Sequence, residues 1–261
     1  MKQKLASACN IRKVNDGFIC VCNSSYCDKV PELQKLIVGY SQIYYTTEAK
    51  PGFNTAKGNF TAAKISTRDF IRIDPSKRYQ KILGFGGAFT DATGINIKSL
   101  PKATQKHLIE SYFGKDGIEY SLGRVPIGGT DFSTRAYTYD DYANDTKLRH
   151  FQLQKEDYEY KIPLIHEART TRGSNNLKLL ASAWTAPPWM KTNNVYTGYS
   201  LLKDEYYQLW ADYMLKFFDQ YQKHGVKFWG VTTGNEPVDG FFSHTASKIN
   251  AMGWVPSNQV C

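Results

Sequence analysis

The chain has 261 residues and a mass of 29.7 kDa, enough for one large domain or two smaller ones. Hydrophobic residues make up 41% and aromatics 14%, which excludes a disordered chain, and no run of about 18 apolar residues is available to cross a bilayer. The formal charge of +9 suits nucleic acid, an anionic membrane or an acidic partner. Its lysines, among them Lys35, Lys50, Lys57, Lys64 and Lys77, are scattered rather than clustered. Nucleic acid is therefore not expected, and the charge reads as a solvated surface, with anionic lipid as the functional alternative.

The first 80 residues are polar and turn-rich and form the first expected unit. Four of the five cysteines fall here, as Cys9, Cys20, Cys22 and Cys27. Their spacings lack the paired C-x2-C pattern of a zinc site. Sequons at Asn23, Asn59 and Asn144 accompany them, and the combination favours a secreted or lumenal protein with two disulfides. The segment Met1 to Cys9 supplies no apolar leader core. That conflict predicts a shortened or incomplete form of an exported protein. Leu36 to Tyr45 and Ile65 to Ile73 carry ring and β-branched residues in near-alternation and are predicted strands.

From residue 81 the pattern becomes strand, loop, helix, repeated, and residues 81–261 form the second expected unit. Predicted strands are Ile82 to Phe89, Ile118 to Ile127, Leu177 to Trp184 and Val226 to Thr232. Predicted helices lie near Lys102 to Phe113, near Tyr158 to Arg172, and at Glu205 to Lys223. In the last of these Tyr206, Leu209, Tyr213, Phe217 and Tyr221 recur at helical spacing, and Gly225 can cap the end. Strands alternating with helices imply a parallel α/β sheet. An eight-stranded (β/α)8 TIM barrel takes about 250 residues. The four βα units visible here therefore amount to about the first half of one.

Polar or ring residues follow each predicted strand: Asp91, Asp131, Trp184, and Asn235 with Glu236. In such barrels the chemistry sits at the C-terminal ends of the strands. Glu236 follows the apolar run Phe228-Trp229-Gly230-Val231, and a carboxyl in a ring-lined setting is held protonated as a general acid. Asn235 can hydrogen-bond a sugar hydroxyl, and Asp131 can accept charge-assisted bonds from one. Trp184, in Trp184-Thr-Ala-Pro-Pro-Trp189, offers a flat apolar face to a sugar ring. Arg124, inside an apolar strand, requires a partner for its charge, and neighbouring carboxylates are expected to provide it. Other chemistries fit poorly. Phe89 stands where a dinucleotide loop needs its third glycine, no G-x-S-x-G elbow occurs, and the five histidines have no metal spacing. Neither metal nor other cofactor is expected.

Several stretches occur together in one order: Cys20-Val-Cys-Asn-Ser-Ser-Tyr-Cys27, Gly84-Phe-Gly-Gly-Ala-Phe-Thr-Asp91, Arg124-Val-Pro126, Asp131-Phe132, Lys161-Ile-Pro-Leu-Ile-His166, Leu180 to Trp189 and Asn235-Glu-Pro237. Over roughly residues 9–261 the chain resembles the N-terminal half of the glucosylceramidases (acid β-glucosidases) of glycoside hydrolase family 30. The resemblance implies a retaining β-glucosidase that splits glucosylceramide into glucose and ceramide without a metal. It casts Glu236 as acid/base, Asp131, Trp184 and Asn235 as glucose-binding, and Arg124 as a supporting residue. It also implies disulfides Cys9–Cys20 and Cys22–Cys27, a lysosomal or secreted location, and action on anionic membranes with a saposin activator.

The sequence departs from the family at Thr233-Gly234 and in the long loop Val238 to Gly253. The family nucleophile, a glutamate at the seventh strand, is expected beyond Cys261. The 261 residues alone are therefore expected to be inactive. The alternative is a non-catalytic fragment that binds the full-length enzyme, the saposin or a membrane.

Overall fold

The computed structural model describes residues 11–15, 17–27, 35–48, 54–61, 71–173, 176–241 and 249–259. Toward the N-terminus lie antiparallel hairpins, one of β1 (Ile11–Val14) with β2 (Gly17–Cys20) and one of β3 (Tyr40–Tyr45) with β4 (Asn54–Asn59). Gly17, at φ 152°, enters β2 in a conformation that side chains avoid. Cys22 and Cys27 form a disulfide. Cys9 lies outside the described residues, as do residues 65–70 of the second predicted strand, and Ile71 to Ile73 belong to no regular element.

The remainder is α/β. β5 (Gly86–Ala88), β6 (Leu122–Ile127), β7 (Lys178–Ala183) and β8 (Gly230–Val231) form a parallel sheet in chain order. The register pairs Ala88 with Arg124, Arg124 with Leu180, and Leu180 with Gly230. Pro126, which has no N–H to give, lies on β6 past the last residue paired with β5. The two central strands keep six residues each, while β5 and β8 shrink to three and two. The eight- and seven-residue strands expected there therefore form only where a neighbour supplies a ladder.

Among the described residues four α-helices connect and cover this sheet: α1 (Asp91–Lys98), α2 (Lys102–Phe113), α3 (Ile162–Arg172) and α4 (Tyr207–Lys223). α1 is not among the predicted helices. Its start is set by the Thr90 hydroxyl, which accepts from the Thr93 N–H. A single π-turn, Asp157–Lys161, precedes α3. Pro163 follows at the second position of the helix and cannot donate to an i−4 carbonyl, and the wider turn accommodates it. α4 ends as expected at Gly225, which has φ 74°. Val226 N–H bonds Tyr221 C=O and Gly225 N–H bonds Gln222 C=O, closing a Schellman motif.

Strand alternation sorts the sheet into two faces. Val125, Ile127, Leu179, Ala181 and Ala183 are buried in the main core, which also holds Ile162, Ile165, Phe217 and Tyr221 from the helices. Arg124, Ser182 and Thr232 share the other face, where they hydrogen-bond one another. Beneath the end of β6, Lys161 and Asp157 form a wholly buried ion pair at 2.8 Å. Asp157 also accepts from the Tyr139 and Tyr221 hydroxyls. Lys161 donates to Pro126 and Gly128 carbonyls.

Candidate active site

The backbone after β8 continues along β7: Thr232 N–H bonds Ala181 C=O at 2.9 Å and Asn235 N–H bonds Ala183 C=O at 2.7 Å. Asn235 thus arrives level with Trp184, at the C-terminal end of the sheet. Arg124 reaches up from β6 and ties the strands together. Its Nη2 donates to Ser182 Oγ at 2.8 Å and to Asn235 Oδ1 at 2.9 Å. Its guanidinium lies 4.7 Å from the centre of the Trp184 ring, a cation–π distance. Ser182 Oγ in turn accepts from Thr232 Oγ1 at 2.7 Å.

The expected carboxylate partner of Arg124 is replaced by neutral groups, a hydroxyl, an amide oxygen and an indole ring. Glu236 and Asp131 act on it through space only. Burial lowers the Arg124 pKa, and the negative fields of Glu236 and Asp131 oppose that. A half-buried guanidinium cannot shed its proton, so its charge persists at any ordinary pH without a contacting counter-charge.

Glu236 is exposed and takes a left-handed backbone conformation at φ 39°, an uncommon state for a residue with a Cβ. Its pKa is raised, as expected, but for a different reason. A side-chain hydrogen bond with Asp239 is the largest cause, followed by the Asp239 charge and then by burial. Asp131 adds to the rise and Arg124 opposes it. The ring-lined setting expected from Phe228 and Trp229 is not what raises it: Phe228 packs against Phe217, Phe218 and Tyr221 of α4, and the Trp229 ring takes Lys178.

Asp131 is exposed on a turn in which Thr130 N–H bonds Ser133 Oγ and Phe132 N–H bonds Thr130 Oγ1. Ser133 Oγ donates to Asp91 Oδ1 at 2.9 Å. Asp91, expected just after the first barrel strand, follows β5 as the buried first residue of α1 and anchors this turn. On the other side Asn250 Nδ2 donates to Thr130 C=O. Trp184 is only 7% exposed, so its ring is a wall of the site with Arg124 against it.

The loops after β7 and β8 are stitched together. The buried Lys191 Nζ donates to the carbonyls of Val195, Tyr196 and Ala251 at 2.8 to 2.9 Å. Backbone bridges join Thr197 to Asn250 and Leu201 to Gly253. Among the described residues no group of three or more His, Cys, Asp or Glu is placed to hold a metal ion.

Two features of the site escape sequence reasoning. Ser182 and Thr232 read only as strand residues, although their alternation with Arg124 places them on its face. Asp239 carries no motif of its own, although three residues from Glu236 is turn spacing. The structure brings together Arg124, Trp184, Asn235, Glu236 and, through its field, Asp131.

Residues 82–260 match the glycosyl hydrolase family 30 TIM-barrel domain. The chain belongs to glycoside hydrolase family 30. The lysosomal acid glucosylceramidase of Mus musculus is 42% identical over 245 residues, covering 92% of this chain and 47% of the mouse protein. Among solved structures, SrfJ of Salmonella typhimurium superposes with a TM-score of 0.74 at 28% identity, covering 85% of this chain and 47% of that one. An endo-β1,6-glucanase superposes at 0.69 with 26% identity, covering 85% and 46%. The family 30 chain thus spans about half the length of the relatives it matches. Its sheet of four parallel strands is a portion of the family barrel.

Proposed function

We propose that this family 30 chain carries the proton-donor side of a retaining β-glucosidase site for glucosylceramide, with Glu236 as acid/base. The observation that carries the reading is the convergence at one end of the parallel sheet. Asn235 and Glu236 follow β8, and Arg124 clamps Asn235 beside Trp184. The 42% identity with the mouse lysosomal enzyme supports glucosylceramide as the substrate.

In a retaining hydrolase one carboxyl protonates the leaving oxygen while another attacks the anomeric carbon, and the first then takes a proton from the incoming water. Glu236 suits the proton-donor role because its surroundings favour the protonated form. Asn235, fixed by the Arg124 bond to its Oδ1, turns its amide N–H groups toward a sugar hydroxyl. Asp131 accepts from hydroxyls, and Trp184 walls the pocket. The nucleophile is assigned by resemblance to a second glutamate, at the end of the family barrel's seventh strand, while these residues supply the side that binds the sugar and donates the proton. A saposin-type activator and an anionic membrane surface complete the reading and give the +9 charge a use. A lysosomal or secreted location accords with the Cys22–Cys27 disulfide and with exposed sequon asparagines at Asn23, Asn59 and Asn144. The division at residue 80 into a β-rich unit and a barrel unit belongs to the same proposal.

The structural likeness to an endo-β1,6-glucanase favours a second reading, a β-1,6-glucan substrate. Saturation-transfer NMR on the 261-residue chain separates the two. Octyl β-D-glucoside is expected to bind, to lose at least about ten-fold affinity in Asp131→Ala, about 1.4 kcal/mol, and to outcompete gentiobiose. Stronger gentiobiose binding transfers the site to the glucan reading. Binding of neither sugar, or binding untouched by Asp131→Ala, overturns the glucosidase site and leaves a non-catalytic binding fragment. Aryl β-glucoside release should not exceed that of Glu236→Gln, and release that disappears in that variant would place the nucleophile within these residues.

A further inference from the structure

Beyond Asn235, whose N–H still bonds β7, the chain folds into turns of its own. Asp239 N–H donates to Glu236 C=O at 2.8 Å, and Phe241 N–H donates to Val238 C=O at 2.9 Å, opening a single 3-10 turn over Asp239–Phe241. Side chains three residues apart eclipse in such a turn, so Val238 and Phe241 share one face of it. Trp254 N–H holds Pro237 C=O, and Ser200 N–H holds Gly240 C=O, both at 3.2 Å. Gly240 lies so close to the returning chain that a Cβ there would meet Gly253 N at 2.0 Å.

The Ser200 bond brings the loop after β7 alongside. The Tyr199 ring meets that of Phe241 edge to face, with centroids 5.9 Å apart and planes at 71°. Tyr199 and Val238 are each 56% exposed, and Phe241 is half-buried. Single exposed apolar residues need no explanation, but contiguous ones beside a site mark a binding surface. Polar side chains of the same loop are committed to the loop itself. Asn193 donates to Thr197 C=O at 2.8 Å and accepts from Val195 N–H at 3.2 Å. Asn194 Oδ1 takes Lys203 Nζ, and Thr192 Oγ1 accepts from Leu201 N–H, both at 3.0 Å. Apart from the Tyr199 hydroxyl, the wall presents ring carbons and methyl groups. A sugar unit laid on it would leave hydroxyls unpaired, which costs binding energy, whereas an alkyl chain gains by leaving water.

We propose that Tyr199, Phe241 and Val238 form a wall that takes the alkyl part of the aglycone and sets a preference for a lipid over a sugar at that position. The inference rests on Glu236 being the proton donor. Such a donor protonates the leaving oxygen, so the aglycone begins at its carboxyl. Val238 follows Glu236 by two residues, and the wall continues from it through Phe241 to Tyr199. Asn235, Asp131 and Trp184, proposed for glucose, are not part of it. The wall therefore adds affinity for the aglycone and none for the sugar.

The test is saturation-transfer NMR on the 261-residue chain with methyl β-D-glucoside, with octyl β-D-glucoside below its micelle concentration, and with gentiobiose. The native chain should bind the octyl glucoside at least about ten-fold more tightly than the methyl glucoside. Tyr199→Ser and Val238→Ser, both at exposed positions, should each weaken octyl glucoside by about three- to five-fold and leave methyl glucoside unchanged. Leu215→Ser, at an exposed apolar position on α4, should alter neither. Methyl glucoside binding with no octyl advantage, or an octyl advantage that survives both serine variants, overturns the wall and leaves the glucosidase reading intact. A greater loss of gentiobiose than of octyl glucoside makes the wall a sugar subsite and overturns the lipid assignment. Octyl binding that falls in the serine variants without any methyl glucoside binding keeps the alkyl wall and sinks the glucosidase reading. Binding of neither glucoside overturns both.

Discussion

Removal of the Arg124 guanidinium should be felt first as instability and then as loss of sugar binding. Arg124→Met keeps most of the stem and deletes two hydrogen bonds and one cation–π contact. Bonds from a charged donor contribute about 1.5–3 kcal/mol each and the ring contact about 0.5–2 kcal/mol, a gross loss of roughly 3.5–8 kcal/mol before compensation. Much of it is offset. Ser182 Oγ keeps the Thr232 donor, and half-buried Asn235 can turn its oxygen to water. The cost of holding a charge away from solvent also disappears. The expected net loss is about 2 kcal/mol. Urea unfolding of the 261-residue chain, followed by tryptophan fluorescence, measures it through a shifted midpoint at constant slope. Arg124→Lys retains the charge without the planar fork and should recover less than half. Arg149→Met, at an exposed position, should stay within about 0.5 kcal/mol of native. An Arg124→Met loss below about 0.5 kcal/mol, or full recovery by lysine, would refute the clamp.

Lys161→Met leaves the buried Asp157 without its counter-charge, which ordinarily costs about 3–5 kcal/mol. The retained Tyr139 and Tyr221 hydroxyls and the Gln154 N–H place the expected loss near 3 kcal/mol by urea unfolding, and adding Asp157→Asn should recover more than half. Burial, helped by Asp145, raises the buried Asp140 carboxyl from 3.8 to about 6. The folded state therefore holds this proton more tightly than the unfolded chain, so its contribution is complete below about pH 4 and lost as pH rises through about 6. Asp140→Asn should raise stability at pH 7 by on the order of 2 kcal/mol and leave it unchanged at pH 4. A gain of equal size at both pH values would show that Asp140 is not a titrating burden.

The elements that can be read from sequence are those whose local pattern and surroundings agree. α2 begins and ends where the pattern places it, and Gly225 closes α4 because its left-handed conformation is a local property. α1 is hidden because Thr93, Gly94 and Ile95 are poor helix formers. Packing rescues them, for Gly94 lies where a Cβ would be 2.5 Å from the Tyr160 side chain. The lengths of β5 and β8 depend on neighbours, which apolar runs such as Ile82 to Phe89 cannot report. Glu236, Asn235, Trp184 and Asp131 are legible because each follows a strand, and Arg124 because a charge inside an apolar strand stands out. The neutral partners of Arg124 and the Asp239 contact are not, since both depend on side chains brought together across the sheet or around a turn.

The triple carbonyl grip of Lys191 and the two bridges beside it have a consequence for how such a site diversifies. They fasten the chain at residues 250–253 to the loop after β7, while Pro237 and Gly240 fasten it on the outgoing side. The turn that carries Glu236 is therefore bolted to the loop after β7, and neither can shift without carrying the other. Substitutions elsewhere in these loops can accumulate while Glu236 keeps its place after β8.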